Sequence, residues 1–203
     1  MRSGKTLCMG LSFVCWAMVS FHGQQFAFCG KSVVSLRRNL LQELAPVLQE
    51  LGFRCREKRS ENLLVISRGG RENRFYLMGG KDEGSAAFIQ GVTLAGVLLD
   101  EAALMPRSFV EQAIARCSVP GSRLWFNCNP EGPQHWFYRE WILKSEQRNA
   151  LYLHFTMEDN PSLSPRIRQR YRSSYSGAFY RRFILGEGTA AKGLIYDFFS
   201  PER

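Results

Sequence analysis

Two short strings in this chain carry groups that could do chemistry together. One is Arg2-Ser3-Gly4-Lys5-Thr6; the other is Gly96-Val97-Leu98-Leu99-Asp100-Glu101, about ninety-five residues later. A Gly-Lys-Thr opening an apolar-periodic helix describes a phosphate-binding loop, with backbone N–H groups and a lysine on phosphates and a hydroxyl on Mg²⁺. Small and apolar residues followed by two carboxylates describe a buried strand that delivers acids at its C-terminal tip. The pair specifies a nucleoside triphosphate, a metal and a base that activates water. Lys5 is expected to neutralise β- and γ-phosphate oxygens, Ser3 and Gly4 to cradle them, Thr6 to ligate the metal and Asp100 to hold it, mostly through water. Glu101, one residue on, is expected to orient and deprotonate water. A helix start also favours adjacent acids, because they offset its dipole. The apolar run before Asp100 favours the chemical reading.

Elements that can position these groups follow from periodicity. Leu7, Leu11, Val14, Met18 and Phe21 recur at spacings of three and four, a buried first helix. Arg2 and Lys5 ahead of that run also resemble a secretory leader, but no small-x-small cleavage site follows. Phe26–Cys29 reads as a short strand, and Val33–Leu51 as a helix kinked or divided at Pro46. Glu61–Ser67 and Arg74–Met78 read as strands paired across Arg68-Gly69-Gly70-Arg71. Asp82–Ile89 reads as a short helix or turn and Gly96–Leu99 as a buried strand. Ser108 is expected to cap a helix through Arg116, with Glu111 completing a capping box. Arg123–Asn127 and Leu151–Phe155 read as strands, and 134–144, 164–175 and 178–185 as helices. Alternating strands and helices imply an α/β fold with a mostly parallel sheet covered by helices on both faces. Ligands then sit at the carboxyl ends of the strands. Asn127 and Asn129 end one such strand, where a polar group can sense a γ-phosphate; Asn-Pro is also a common turn initiator.

At 203 residues, 45% hydrophobic, the chain is read as one globular domain with a sizeable core. Its net charge of +9 comes from 27 basic residues, 21 of them arginine, which suits phosphate recognition. Codon usage that favours arginine accounts for the excess equally well. Arg166, Arg168, Arg170, Arg172, Arg181 and Arg182 crowd together, a pattern that usually marks a solvated face. Arg2 and Arg116 are the arginines expected to meet negative charge developing on a phosphoryl group, with Arg71 and Arg74 behind them. Six cysteines show no Cys-x-x-Cys pair and no zinc spacing, which fits small core residues of a reduced, cytosolic protein. No stretch is long and uncharged enough to span a membrane. A second Gly-Lys-Ser, Gly30-Lys31-Ser32, has Gln25 where the loop needs its leading glycine and is read as a decoy.

These strings resemble the ATPase domain of the large terminase subunit of tailed bacteriophages and prophages. Arg2–Thr6 is similar to that family's Walker A, and Gln90–Ala102 to its Walker B and approach. Ala115–Ser118 with Asn127-Cys128-Asn129-Pro130 and its flank resembles the coupling motif. Asp159-Asn160-Pro161, Gly186–Gly188 and Gly193–Tyr196 resemble the end of the domain. The resemblance implies a P-loop NTPase fold of the ASCE, RecA-like type over residues 1–190, with 191–203 starting a linker. It implies ATP and Mg²⁺ as cofactors, and double-stranded DNA, a portal protein and a small terminase subunit as partners. It also implies a homo-oligomeric ring in the bacterial host cytoplasm. Against the family's pattern, the strand and leading glycine before Gly4 and the nuclease domain after Arg203 are not in this sequence. The expected activity is therefore ATPase without endonuclease. The alternative is a catalytically dead prophage remnant that acts as a DNA- or protein-binding module.

Overall fold

The structure is a computed structural model, and it describes residues 4–129, 132–177, 180 and 181. They fall into two compact units, one of residues 4–128 and one that begins at Asn129. The expected helix at 178–185 lies almost wholly outside the described residues.

The first unit is built on a six-stranded sheet in the order β2-β3-β4-β1-β5-β6. Its strands are β1 (Gln25–Gly30), β2 (Arg54–Lys58), β3 (Leu63–Arg68), β4 (Arg71–Gly79), β5 (Gly96–Leu99) and β6 (Arg123–Phe126). β4, β1, β5 and β6 run parallel, while β3 is antiparallel to both β2 and β4. Gly69 and Gly70 join β3 to β4 with φ of 57° and 78°. Two successive left-handed residues suit the twist of a tight hairpin, which is why the sequence places glycines there. β2 was not expected. With Arg, Arg, Glu and Lys around one cysteine, it lacks the apolar alternation that marks a strand.

Helix α1 (Lys5–Ser20) buries Gly10, Phe13, Val14, Ala17 and Met18 against one face of the sheet. The Phe13 ring meets Phe26, Phe28, Phe75 and Trp125 at centroid distances of 5.6–6.1 Å, mostly edge to face. Such pairs add roughly 0.5–1.5 kcal/mol each beyond area burial. A Cβ on Gly10 would sit 2.8 Å from Leu40 Cδ1, so α1 crosses the following helical segment at its one residue without a side chain. That segment comprises α2 (Val33–Leu36), a π-helical turn (Arg37–Leu41) and α3 (Gln42–Glu50). The irregularity falls one turn before Pro46, not on it. Gln42 N–H reaches back five residues to Arg37 O.

Helix α4 (Arg107–Ala115) lies on the other face of the sheet, and Gly80 abuts the ring of its Phe109. Its cap differs from expectation: Pro106 holds the N-cap position with no side-chain bond. Ser108 Oγ instead donates to Glu83, and Glu111 pairs with Arg107 at 2.6 Å. Glu83–Ile89 is a 3₁₀ helix capped by Asp82, the short helix or turn expected there. Burial raises the thiol pKa values of Cys29, on β1, and of Cys117, after α4, the latter to about 12. Both are small core groups.

In the second unit, Tyr138–Ile142 forms a π-helical turn and α5 spans Pro165–Ser174, capped by Ser164. Met157 and Leu163 anchor a small cluster with Ile167 and three tyrosines. The expected strand at 151–155 does not form. Leu151, Leu153 and Phe155 are 86%, 59% and 42% exposed, and among the described residues no strand pairs with this short alternating run. Among the described residues, no helix is long and apolar enough to cross a membrane.

Candidate functional site

Parallel pairing puts the ends of β1, β5 and β6 at one edge of the sheet, and the ladder runs one residue past two of them. Asp100 N–H donates to Cys29 O at 2.8 Å and Asn127 N–H to Leu99 O at 2.9 Å. Ala102 N–H then closes onto Asn127 O at 2.8 Å. Backbone bonds thus fix the side chains of Asp100 and Asn127 next to each other.

The start of α1 arrives at the same place. Gly4 caps the helix in the left-handed region (φ 75°), a conformation that costs glycine little. Thr6 Oγ1 donates to Asp100 Oδ1 at 3.0 Å and accepts from Asn127 Nδ2 at 2.8 Å. Asn127 Nδ2 also donates to Asp100 Oδ1, at 2.9 Å, which closes a triangle. Lys5 Nζ donates to Cys128 O at 3.1 Å. That backbone acceptor could not be read from the sequence, since any residue type supplies a carbonyl.

The Asp100 side chain is nearly buried, at 6% exposure. Burial pushes its carboxyl above the ordinary carboxylate range, against the opposing pull of the Thr6 hydroxyl, the Lys5 charge and the Asn127 amide. A carboxylate held this way is short of positive charge. Asn127, 4% exposed, has its Oδ1 buried without a hydrogen-bond partner. A buried orphan acceptor of this kind costs roughly 1–3 kcal/mol, so the cluster stores demand for a donor. Glu101 follows directly, half-buried, with φ 58° and ψ 46°. A non-glycine residue in that left-handed region is strained and worth a functional question.

Mg²⁺ takes few protein oxygens, keeps waters, and binds in near-ideal octahedral geometry. Thr6 Oγ1 and Asp100 Oδ1 lie 3.0 Å apart, the spacing of neighbouring corners on an octahedron with bonds of about 2.1 Å. The oxygens present therefore fit that ion. Among the described residues there is no cluster of three His, Cys, Asp or Glu that would hold a metal without help from a phosphate.

Lys5, Thr6, Asp100 and Asn127 are thus brought together with Glu101 beside them. Arg2 and Ser3 lie outside the described residues. Asn129 belongs to the second unit. Arg116 is not brought to this cluster. Its carbonyl accepts from Leu94 N–H at 2.9 Å, at the N-terminal end of β5. Asp100 lies six residues further along that extended segment, roughly 20 Å away at 3.3 Å per residue. Arg71 donates to Val19 O at 2.6 Å and so closes the end of α1. A groove of about 460 Å³ between the Val34–Gln49 helical segment and β2 contains none of the cluster. Its Arg37 is held by Glu57 at 2.6 Å, a structural ion pair.

Several solved structures share this fold. Two crystal structures of the large terminase from a thermophilic bacteriophage, one with ADP and one with ATP-gamma-S, are 51% and 50% identical to this chain. Their TM-scores are 0.92 and 0.89, and each match covers 98% of this chain. The chain spans about half the length of those proteins, 49% and 48%. The Thermus phage P74-26 large terminase ATPase domain matches at 15% identity and a TM-score of 0.63, over 93% of this chain and 85% of that one. At that identity it supports the fold alone. No curated protein matches. The family described as terminase large subunit, T4likevirus-type, N-terminal, matches residues 1–202, and the chain belongs to that family.

Proposed function

We propose that this chain is the ATPase core of a phage DNA-packaging motor, hydrolysing ATP to drive double-stranded DNA into a capsid. The observation that carries the reading is the triangle of Thr6, Asp100 and Asn127 beside Lys5, at the carboxyl edge of a parallel sheet. That the large terminase of the thermophilic phage takes ADP and ATP-gamma-S supports nucleotide as the ligand here.

The first N–H groups of α1 have no partner within their own helix, and they face the phosphates together with the positive end of its dipole. Lys5 exchanges the Cys128 carbonyl for β- and γ-phosphate oxygens. Thr6 Oγ1 and Asp100 Oδ1 would hold Mg²⁺, which would supply charge neutralisation on those oxygens. Glu101 accepts a proton from water as its oxygen bonds to the γ-phosphorus and the β–γ bridging P–O bond breaks. ADP and inorganic phosphate leave. Arg2 is proposed to meet the charge that develops on the transferred group. Asn127 touches both metal-binding oxygens, so a change there is passed into Cys128 and the Asn129 segment, and these couple hydrolysis to movement. In assembly the motor is a homo-oligomeric ring acting with a portal protein and a small terminase subunit in the host cytoplasm.

The test is Glu101→Gln assayed with Mg²⁺, ATP and duplex DNA. Turnover falls on the order of 10²–10⁴-fold while affinity for ATP stays within a few-fold. Equal loss of binding and turnover counts against the role of Glu101. A folded parent chain with no turnover at high protein concentration, DNA present, favours a non-catalytic binding module.

A further inference from the structure

The face of the sheet that carries α4 near β1 and β5 also extends across β4, β3 and β2, and there its chemistry changes. Residues opposite one another in register share a face, so three rows can be read directly. They are Arg54–Ser67–Glu72, then Arg56–Val65–Arg74–Gln25, then Lys58–Leu63–Tyr76–Ala27. Arg54, Arg56 and Arg74 are exposed, while Leu63 and Val65 are each only 4% exposed. The groups these rows offer to solvent are mainly cationic, with the half-buried Tyr76 beside them.

The charges on this field are not spent on one another. Lys58 pairs with Glu61 at 3.1 Å. Glu57, on the opposite face of β2, takes Arg37 at 2.6 Å and Arg59 at 3.5 Å. Among the described residues, Arg54, Arg56 and Arg74 make no ion pair and no side-chain hydrogen bond. Glu72 is the one acid in the three rows, and it pairs with neither Arg54 nor Arg74. Three exposed arginines on one sheet face, none neutralised by a carboxylate, present their charge to an external anion. Arg54 and Arg56 sit about 6.6 Å apart along β2, and Arg56 and Arg74 about 10 Å apart across three strands. That two-dimensional spread suits a repeating phosphate backbone better than a single phosphate. A membrane surface also needs apolar side chains to insert, and this face offers none.

We propose that the β2–β4 face, through Arg54, Arg56 and Arg74, holds the sugar-phosphate backbone of the DNA duplex. The inference rests on the packaging reading for the identity of its partner and adds where that partner lies. β2 is four strands from β5, roughly 19 Å from the Asp100 strand, so the surface is separate from the nucleotide cluster. Binding here reads backbone charge, not sequence.

The experiment measures fluorescence anisotropy of a mixed-sequence duplex against the intact chain, without nucleotide or Mg²⁺, across a series of salt concentrations. Each neutralised phosphate contributes about 0.9 to the slope of log K against log salt. The triple variant R54A/R56A/R74A is expected to lower that slope by about 2–3 and to weaken binding at least tenfold at low salt. The triple lysine variant, which keeps the charge, is expected to retain the parental slope and so separates loss of charge from loss of fold. R166A/R170A, on the exposed side of α5, is expected to leave the slope unchanged. An unchanged slope in the alanine triple overturns the proposal, as does a slope lost only in R166A/R170A. Loss of binding to phosphatidylserine vesicles with duplex binding intact also overturns it, in favour of a lipid surface. Because the measurement contains no ATP, its failure is distinct from failure of the ATPase reading, which Glu101→Gln tests separately.

Discussion

The chain writes nearly the same tripeptide twice, and the two copies do different work. Gly4-Lys5-Thr6 and Gly30-Lys31-Ser32 both sit at the carboxyl edge of the sheet, each at the start of a helical segment. In the first, the hydroxyl is turned to Asp100 and Asn127, and the lysine reaches the Cys128 carbonyl. In the second, Ser32 Oγ accepts from Ser35 N–H at 3.0 Å and Ser35 Oγ donates to Ser32 O at 2.8 Å, a closed local cap. Gly4 adopts a left-handed φ of 75° that opens the turn. Gly30 has no such φ; it is small because Leu36 fills its Cβ position, at 2.9 Å. A phosphate-loop signature is therefore defined by what lies across from it. A serine occupied by its own helix cannot also serve a metal.

The contrast can be broken by exchanging roles. Lys5→Ala should weaken ATP binding roughly tenfold to a hundredfold, the loss of a charged hydrogen-bond donor. Lys31→Ala should leave it within twofold, as isothermal titration would show. Equal losses would mean that the second copy also sees phosphate. Ser32→Ala should lower folding stability by about 1 kcal/mol in urea titrations, the usual worth of a cap, with ATP affinity unchanged. An affinity change without a stability change would reverse the assignment.

The smallest effect concerns Asp100. Its carboxyl is raised by burial above its unfolded value, so the native state holds the proton more tightly. Stability from this group is complete below the unfolded carboxyl range, near pH 4, and is lost as pH rises through the higher native value. Asp100→Asn keeps an acceptor for Thr6 and Asn127 but cannot ionise. Without nucleotide or metal, the variant should therefore melt above the parent at pH 7, and the gap should close on acidification toward pH 4. A variant less stable at pH 7 would show that the carboxylate is already compensated by Lys5.

Much of this arrangement was legible in the residues. The apolar run before Asp100 gave β5 to the residue, because a strand buried on both faces has no polar position to blur its ends. The Gly69-Gly70 turn fixed the β3–β4 hairpin for an equally local reason. What was not legible depended on distant partners. β2 has no apolar pattern of its own; it exists because β3 offers an open ladder edge. Ser108 met every local condition for a cap and lost to Glu83, twenty-five residues upstream. The run at 151–155 had the alternation of a strand, yet among the described residues no strand lies beside it. At the site, the side chains could be named from sequence, but the triangle joining three of them and the carbonyl under Lys5 required the fold. Arg116, one helix after the acids in the chain, lies at the far end of their strand because a helix crossover returns the backbone to the sheet's other edge.

The backbone of Glu101 has a consequence for how such a chain endures. A left-handed conformation costs an ordinary side chain about 1–2 kcal/mol, and glycine almost nothing. Glu101→Gly is thus the substitution that a screen for heat resistance would enrich at this position, and the acid is what it would discard. Under the proposed reading, a carboxylate kept at φ 58° gives up about that much stability for the sake of turnover.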